Sequence, residues 1–187
     1  MAEVVLLRHA ETEWSIAGRH TGRTDIPLTE HGREVAAALA PRFADREFAL
    51  VLSSPLSRAR DTAALAGLEP DDYDEDLLEW DYGDYEGITT KQIRETRPGW
   101  DLWTEGVPNG EMPEDVGART DRVIERALAA DGDVCLVAHG HVLRVLAARW
   151  VEQPPAFGAR LWLATGAVCT LGWQRGVRAL RGWNLVA

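Results

Sequence analysis

The sequence predicts an α/β fold, a three-layer α/β/α sandwich with a mostly parallel central sheet. Short apolar segments alternate with longer amphipathic ones along the chain, as βαβ units do. Three apolar segments end in polar residues: Arg8-His9, Ser53-Ser54 and His139-Gly140-His141. Ligands bind at the carboxyl ends of strands in open α/β sheets, so we expect these ends to share one crevice.

The chain begins with a predicted strand and continues to a helix. Residues 4–7 (VVLL) form a β-branched and aliphatic run that stops at Arg8, which is typical of a buried strand ending at a loop. Thr29 precedes an alanine-rich segment and predicts the start of a helix that extends to about Leu39. Pro41 should end or kink this helix.

A second strand and helix follow. Residues 49–52 (ALVL) predict the strand. Ser54 followed by Pro55 is typical of an N-cap with proline at the first helical position. The helix should extend to about Ala66, where Gly67 stops it.

Residues 69–113 are predicted to be an insertion that forms a loop and a lid. Residues 69–87 (EPDDYDEDLLEWDYGDYEG) are acidic and rich in turn-forming residues, which predicts a loop around a short element. Residues 90–97 predict a short helix that Pro98 and Gly99 close.

After residue 113 the sequence again predicts alternating helices and strands. Helices are predicted at residues 114–130 and 141–151, on either side of a strand at 133–138. The remaining segments alternate as two or three strands, with a hairpin turn at QRG. These segments are residues 160–164, 167–173 and 177–183, and the turn is residues 174–176.

Length and composition predict a single domain over residues 1–187. The chain is 45% hydrophobic and 27% charged, as ordinary globular domains are. No apolar run approaches the ~18 residues that span a bilayer. The start, MAEVVLLRHAE, has neither the cationic region nor the apolar core of a signal peptide, so we expect a cytoplasmic protein.

Charge and cysteine content exclude several functional classes. The formal net charge is −10, which disfavours nucleic acids and anionic membranes as partners because both require a clustered basic surface. Lys91 is the only lysine, so a phosphate here would be held by arginine forks. Cys135 and Cys169 lie in apolar surroundings, which predicts core residues rather than a disulfide or a cysteine-rich metal site.

Basic residues near the strand ends are the candidate functional residues. His9 and His139 follow two predicted strands, and Arg58 lies near the start of a helix, where anions are favoured. Each signal alone also fits a hydrogen-bonded structural residue. With nearby carboxylates, His139 and His141 also allow a zinc site, although no HExxH motif or cysteine partner accompanies them.

Five segments together resemble the histidine phosphatase superfamily, the phosphoglycerate mutase-like family. They are LLRHAET (6–12), GRHTGRTDIPLTEHG (18–32), SSPLSRARDTA (53–63), LLEWDYGDYEG (77–87) and VAHGHVLR (137–144). The segments span about the first three quarters of the chain and look most like the actinobacterial acid phosphatases of this family. The resemblance implies a phosphoglycerate mutase-like fold and chemistry that uses no cofactor and no metal.

The resemblance also implies a role for individual residues. His9 would be the nucleophile that accepts the phosphoryl group and becomes phosphohistidine. Arg8, Arg58 and His139 would hold the phosphate oxygens. Glu79 would be the general acid that protonates the leaving group and then activates water. This chemistry is physically consistent, because guanidinium forks neutralise a phosphate dianion and a neutral imidazole can then attack in line.

Other positions match the family pattern less directly. Thr21, Gly22 and Gly140 are expected to bind substrate by resemblance. Without the resemblance, Asp81 and Glu86 would be equal candidates for the acid.

Some positions depart from the family pattern. Ala10 stands where the family has glycine, which requires a negative φ, and Ser15 stands where many relatives have asparagine. Glu111 and Met112 lie where the family has a Gly-Glu-Ser substrate loop.

Four tryptophans are further candidates for the substrate wall. Trp14, Trp80, Trp100 and Trp103 lie near the expected site or its lid, and at least half of them should be ordinary packing residues.

The sequence thus predicts a metal-independent phosphatase that acts on a small phosphorylated metabolite. A cofactor-dependent phosphoglycerate mutase is the first alternative. Between Gly87 and Met112, however, the only basic residues are Lys91, Arg94 and Arg97, whereas a mutase encloses its bisphosphate with a longer basic segment. A non-catalytic phospho-ligand module is the second alternative and would be expected to lack the nucleophile or the acid.

Overall fold

A six-stranded sheet organises residues 2–186, the part of the chain that this computed structural model describes. Across the sheet the strands are β3 (Asp72–Tyr73), β2 (Leu50–Ser53), β4 (Val134–Ala138), β1 (Val4–Arg8), β5 (Val168–Gln174) and β6 (Val177–Leu185). Strands β1 to β4 are mutually parallel, β5 is antiparallel to β1, and β6 is antiparallel to β5. The predicted α/β architecture with a mostly parallel sheet is confirmed.

Helices connect these strands within residues 2–186. They are α1 (Glu13–Ile16), α2 (Glu30–Ala38), α3 (Ala40–Phe43), α4 (Ser57–Leu65), α5 (Thr90–Thr96), α6 (Leu102–Glu105), α7 (Pro113–Leu128) and α8 (Gly140–Trp150). Single 3₁₀ turns occur at Glu75–Leu77 and Gly83–Tyr85, and a longer 3₁₀ segment at Pro155–Arg160.

Alternating residues of the central strands build the core on both faces of the sheet. In β1, Val4 and Leu6 pack with the apolar residues of α7 and α8, whereas Val5 and Leu7 pack with those of α3 and α4. This alternation follows from the two-residue period of a strand. The sheet is therefore covered by helices on both sides, as predicted.

The strand register brings the polar strand ends together. Arg8 of β1 is level with Ala138 of β4, and Ser53 of β2 is level with Val137 of β4. His9, Ser54 and His139 therefore lie side by side at one edge of the sheet.

Most predicted elements are present within a few residues of their expected bounds. Thr29 caps α2 by accepting the N–H of Gly32 at 2.9 Å. The β5–β6 hairpin turns at Arg175 and Gly176, whose φ values of 52° and 84° fit a two-residue turn that requires positive φ twice. The short helices α1 and α6 were not predicted.

The predicted N-cap at Ser54 is wrong. Helix α4 begins at Ser57, and the hydroxyl of Ser54 lies 2.7 Å from Nε2 of His139. Asp25 from a distant loop caps the helix instead, because its Oδ1 accepts both the N–H and the hydroxyl of Ser57 at 3.0 and 2.8 Å.

Of the two or three strands predicted in the last part of the chain, two are present, and residues 160–164 do not form the third. This segment follows the 3₁₀ segment Pro155–Arg160 and stays irregular up to β5. Side chains of two sheet strands hold it, because Arg8 of β1 donates to the backbone oxygen of Leu163 at 2.6 Å and Ala164 N–H donates to Asn184 of β6 at 2.7 Å.

Residues 69–113 are only partly a loop. Their beginning pairs with the sheet as β3, and α5 and α6 follow. Cys135 and Cys169 are buried and not bonded to each other. Among residues 2–186, no helix has the length and apolarity to cross a bilayer.

Candidate active site

His9 follows β1 and is almost completely buried, with 4% of its surface exposed. Its Nδ1 lies 2.7 Å from the backbone oxygen of Ala10, and because a carbonyl can only accept, Nδ1 carries the proton. Nε2 therefore holds a free lone pair. Burial, followed by the charges of Arg8 and Arg58, lowers the pKa of His9 well below its usual value, so the ring stays neutral. Ala10 does not have a positive φ, so its methyl group is accommodated.

Arg58 and His139 form a fully buried pair behind His9. Nε of Arg58 donates to Nδ1 of His139 at 3.1 Å, so the imidazole proton lies on Nε2 and is donated to Ser54 Oγ. The ring of His139 lies 5.1 Å from that of His9, centre to centre. Burial and the charge of Arg58 hold the pKa of His139 well below its usual range.

Arg58 also holds the loop at residues 21–24. Its terminal nitrogens donate to the backbone oxygens of Thr24 at 2.9 Å, Gly22 at 2.9 Å and Thr21 at 3.2 Å. From the other side, the Glu86 carboxylate accepts the N–H groups of Gly22 and Thr24 at 2.9–3.0 Å. The loop is thus held between a cation and an anion, and Glu86 is turned towards it.

The predicted loop residues differ in their positions. Thr21 lines the main cavity of the molecule. Gly22 is buried, and its N–H is already donated to Glu86. A Cβ at Gly22 would lie 2.6 Å from both Glu86 Oε2 and the backbone oxygen of Trp80, so only glycine fits there.

Arg8 has an unpaired donor beside the cavity. Its Nη1 donates to Leu163, but its Nε is the one buried side-chain nitrogen or oxygen in residues 2–186 without a partner. Orphaned buried donors are rare in folded proteins, so this N–H is a candidate donor for an anionic ligand. A Cβ at Gly140 would lie only 3.1 Å from Cζ of Arg8, which explains why Gly140 stands there.

Glu79 lies across the cavity at the N-terminus of α8. Its carboxylate accepts the N–H groups of Trp80, His141 and Val142, each at 2.9 Å. These donors and the helix dipole fix the orientation of the carboxylate. Asp81 points elsewhere: its Oδ1 accepts the N–H of Gly83 at 3.0 Å. Of the three candidate acids, Glu79 is the one that lines the cavity with His9.

Arg119 of α7 holds residues 76–79 in place, a role that was not predicted from the sequence. This buried guanidinium donates to the backbone oxygens of Asp76, Leu78 and Glu79 at 2.6–3.2 Å. It also forms a bidentate ion pair with Glu111 at 2.8 and 3.0 Å. A signal was present, because Arg119 lies at helical spacing between apolar residues of the buried face of α7.

Glu111 and Met112 lie outside the cavity lining. Glu111 Oε2 accepts the N–H of Asp81 at 2.8 Å, and its carboxylate also pairs with Arg119. Glu111 therefore stabilises the backbone next to Glu79. Met112 is 42% exposed. Ser15 does line the cavity, but its hydroxyl donates to the backbone oxygen of Thr12 at 2.8 Å within the cap of α1.

The cavity has a volume of about 350 Å³. Aromatic and imidazole rings form one wall of it, and only some of these rings were predicted from the sequence. Trp100 and Trp103 line it, whereas Trp14 and Trp80 do not. Tyr82, His20 and His141 complete the ring wall. The remaining lining residues are Arg8, His9, Ser15, Gly18, Arg19, Thr21, Glu79, Thr90, Arg94, Asp101, Leu102, Gly140, Arg144 and Leu163.

The rings of this wall are uncharged. Tyr82 Oη and His141 Nδ1 share a short hydrogen bond. Burial, reinforced by the charge of Glu79, raises the pKa of Tyr82 well above its usual value. Burial lowers the pKa of His20 to about 4, and burial and the charge of Arg144 lower the pKa of His141.

His139 and His141 point to different partners. The first pairs with Arg58 and Ser54, and the second pairs with Tyr82. No group of three His, Cys, Asp or Glu side chains within residues 2–186 is arranged to hold a metal ion.

Comparison with known proteins agrees with the fold. The sequence profile of the histidine phosphatase superfamily (branch 1) matches residues 4–186. A Mycobacterium tuberculosis protein named acid phosphatase is 44% identical over 95% of this chain and 89% of its own length.

Solved structures of other proteins also resemble this fold. An open reading frame product from Mycobacterium tuberculosis superposes with a TM-score of 0.95 at 42% identity, covering 99% of this chain and 98% of that one. A mycobacterial glucosyl-3-phosphoglycerate phosphatase, solved in complex with VO3, superposes with a TM-score of 0.87 at 32% identity, covering 98% and 99%. This chain therefore belongs to the histidine phosphatase superfamily.

Proposed function

We propose that this protein is a metal-independent phosphatase that hydrolyses small phosphomonoesters through a phosphohistidine at His9. One observation carries the proposal: the free Nε2 of a neutral His9 shares a cavity with the unpaired Nε of Arg8 and with the carboxylate of Glu79. A nucleophile, an anion-binding donor and a proton-transfer group are therefore available to one ligand.

In the first half-reaction, His9 attacks the phosphorus in line with the ester oxygen. A bond forms between Nε2 and phosphorus while the bond from phosphorus to the ester oxygen breaks. Arg8 offsets the negative charge on the equatorial oxygens. The Nδ1 hydrogen bond to Ala10 stabilises the ring as it becomes positively charged.

Arg58 and His139 support this step from behind. Both are fully buried next to His9, and Arg58 is already bonded to His139 and to three backbone oxygens. We assign to the neutral His139 ring the packing of His9, and to Arg58 the orientation of the loop at residues 21–24 and a positive charge close to the phosphate.

Glu79 serves both half-reactions. Protonated Glu79 donates its proton to the departing alkoxide, which would otherwise leave slowly. As a carboxylate it then takes a proton from the water that attacks phosphohistidine, which releases inorganic phosphate and restores both residues. Its hydrogen bonds to the start of α8 keep it in the cavity that His9 also lines.

The test is phosphate release from a panel of small phosphomonoesters in the presence of EDTA, with mutase activity on 3-phosphoglycerate measured in parallel. We expect hydrolysis that survives EDTA and that vanadate inhibits competitively. Isomerisation that exceeds phosphate release would favour the mutase alternative. Binding of phosphate esters without turnover would favour the non-catalytic module, and dependence on added zinc would favour a metal site at His139 and His141.

A further inference from the structure

The arginines that line the cavity have no carboxylate partners. Arg8, Arg19, Arg94 and Arg144 form no ion pair within residues 2–186, although the chain has 30 acidic residues. Elsewhere on α7 and α8 the pattern is the opposite. The pairs there are Arg119–Glu111, Arg122–Asp76, Arg126–Asp72 and Arg149–Asp121.

Arg144 is the clearest case because it is half-buried and held by uncharged groups alone. Its Nε donates to the backbone oxygen of Gly158 at 2.9 Å and its Nη2 to that of Ala159 at 3.2 Å. Its guanidinium lies over the ring of Trp103, 4.5 Å from the ring centre. Burial lowers the pKa of Arg144 from its usual value, and the negative charge of Glu79 offsets only part of this shift.

Arg94 and Arg19 extend the positive charge to the rim of the cavity. Arg94 of α5 is exposed and donates through Nε to the backbone oxygen of Trp100 at 2.9 Å. Arg19 is exposed and lies 5.8 Å from the centre of the Trp14 ring. Neither side chain is committed to an anion of the protein itself.

The acidic groups that line the cavity form no ion pair with these arginines, although the charge of Glu79 acts on Arg8 and Arg144 from a distance. Glu79 and Asp101 are the carboxylates in its lining. Glu79 accepts three backbone N–H groups, and Asp101 accepts the N–H of Trp103 at 3.1 Å at the start of α6. The reacting phosphate would engage Arg8 beside His9, which leaves Arg144 and the rim arginines for another group.

We propose that the cavity selects phosphomonoesters whose alcohol part carries a second anionic group, and that Arg144, assisted by Arg94 and Arg19, binds that group. A carboxylate and a further phosphate share this chemistry, since both accept the guanidinium fork. The proposal rests on the proposed function, because it takes the phosphate next to His9 as the reacting one.

The test measures binding with phosphonates, which cannot be hydrolysed. Inhibition of p-nitrophenyl phosphate hydrolysis gives Ki for 3-phosphonopropionate and for propylphosphonate, which differ in having a carboxylate or a methyl group at the far end. Propane-1,3-bisphosphonate tests a second phosphate-like group. We expect an anionic far end to improve binding by about tenfold, the factor that corresponds to ~1.4 kcal/mol.

Variants locate the source of this preference. Arg144→Gln and Arg94→Gln should each move the Ki ratio of the anionic to the methyl-ended phosphonate towards one, with the larger change for Arg144. Arg149→Gln is the matched control, because it removes the same charge from the same helix at a residue paired with Asp121 outside the cavity. Arg94 is exposed, so its variant remains informative if Arg144→Gln unfolds.

The outcomes separate this proposal from the function on which it rests. A wild-type Ki ratio near one, a preference for propylphosphonate, or a ratio that persists in both cavity variants would overturn the second-anion site. Equal weakening of both phosphonates in Arg144→Gln would also overturn it, because Arg144 would then bind the reacting phosphate. If the wild type hydrolyses no phosphomonoester and binds no phosphonate, the proposed function itself fails.

Discussion

The two walls of the cavity are held in place by different means. On the nucleophile wall, His9 and His139 follow neighbouring parallel strands, and Arg58 lies in the first turn of α4. On the acid wall, Glu79 lies in an irregular segment between two 3₁₀ turns, where α7 and α8 hold it through side-chain and backbone contacts. Parallel pairing of β1 with β4 brings His9 and His139 of the first wall together, whereas the position of Glu79 depends on contacts of an irregular segment with α7 and α8.

This difference predicts different consequences of mutation. Damage to the nucleophile wall should remove activity for every substrate, because the bond to phosphorus forms there. Damage to the acid wall should depend on the leaving group, because that wall supplies a proton.

Replacing His9 should have the largest effect. His9→Ala should lower kcat/KM by at least ~10³-fold for alkyl and aryl phosphates alike, because only binding and electrostatics remain. Steady-state phosphate release measures this. Near-normal turnover by the alanine variant would exclude His9 as the nucleophile.

Arg58→Lys should cost about 10²-fold in kcat/KM although the charge is kept. An ammonium cannot bond simultaneously to His139 and to the backbone oxygens of Thr21, Gly22 and Thr24. The loss should be similar for alkyl and aryl esters. Full activity with unchanged vanadate inhibition would show that the arginine fork is not required.

Glu79→Gln should lower activity by an amount that depends on the leaving group of the substrate, unlike changes on the nucleophile wall. The amide keeps the shape but cannot donate a proton, so kcat for alkyl phosphates should fall by ~10²-fold or more. Activated aryl esters such as p-nitrophenyl phosphate should lose several-fold less in the first half-reaction. Equal losses for both classes, with no accumulation of phosphohistidine, would limit Glu79 to organising the cavity, and Asp81→Asn and Glu86→Gln would be tested next.

Arg119→Met should produce a weaker form of the same effect through the position of Glu79. We expect about a tenfold loss of kcat on alkyl phosphates, a smaller loss on aryl phosphates, and ~3 kcal/mol lower stability because Glu111 is left buried without its partner. Activity is measured at a temperature where the variant is folded, as circular dichroism reports.

Arg122→Met is the matched control for Arg119. Arg122 lies on the same helix and pairs with Asp76 of the same segment, but its side chain is 60% exposed. The Arg122→Met variant should lose less than ~1 kcal/mol of folding stability. Its ratio of alkyl to aryl phosphate turnover should match that of the wild type. If Arg119→Met still lowers alkyl turnover when Glu79 is already glutamine, Arg119 does not act through Glu79.

The smallest predicted effect concerns pH and the ring wall. Burial lowers the pKa of His20, which packs on Tyr82, to about 4, so below pH 6.5 the unfolded chain binds a proton that the folded chain does not. Stability should therefore fall as pH falls from 6.5 towards 4, with His20 contributing at most ~2 kcal/mol of the change between pH 7 and 5. Urea unfolding of His20→Gln should have a shallower pH dependence than wild type, and exposed His31→Gln should match wild type.

The sequence was most informative where local pattern determines structure. Apolar runs that end at Arg8 and Ala138 predicted two parallel strands, and their parallel pairing brings His9 and His139 together without further information. Thr29 predicted its helix start because its hydroxyl caps the next turn. The nucleophile wall is therefore largely readable from the sequence.

The acid wall was less predictable because distant partners build it. Arg119 occupies a position on α7 that the helical pattern alone assigns to an apolar residue, and the backbone oxygens that it binds lie about 40 positions earlier in the chain. Ser54 was misassigned for a similar reason: His139 takes its hydroxyl, and Asp25 caps the helix instead. A single sequence contains no local signal for such pairings.

The most direct test is to locate the phosphoryl group during turnover. The wild type and Glu79→Gln are mixed with radiolabelled aryl phosphate, quenched, and mapped by peptide digestion. We predict an acid-labile, base-stable label on the peptide that contains His9, more of it in Glu79→Gln, because water is activated more slowly, and none in His9→Ala. Label on another residue, or hydrolysis with no label under rapid quenching in either protein, would contradict a phosphohistidine mechanism at His9.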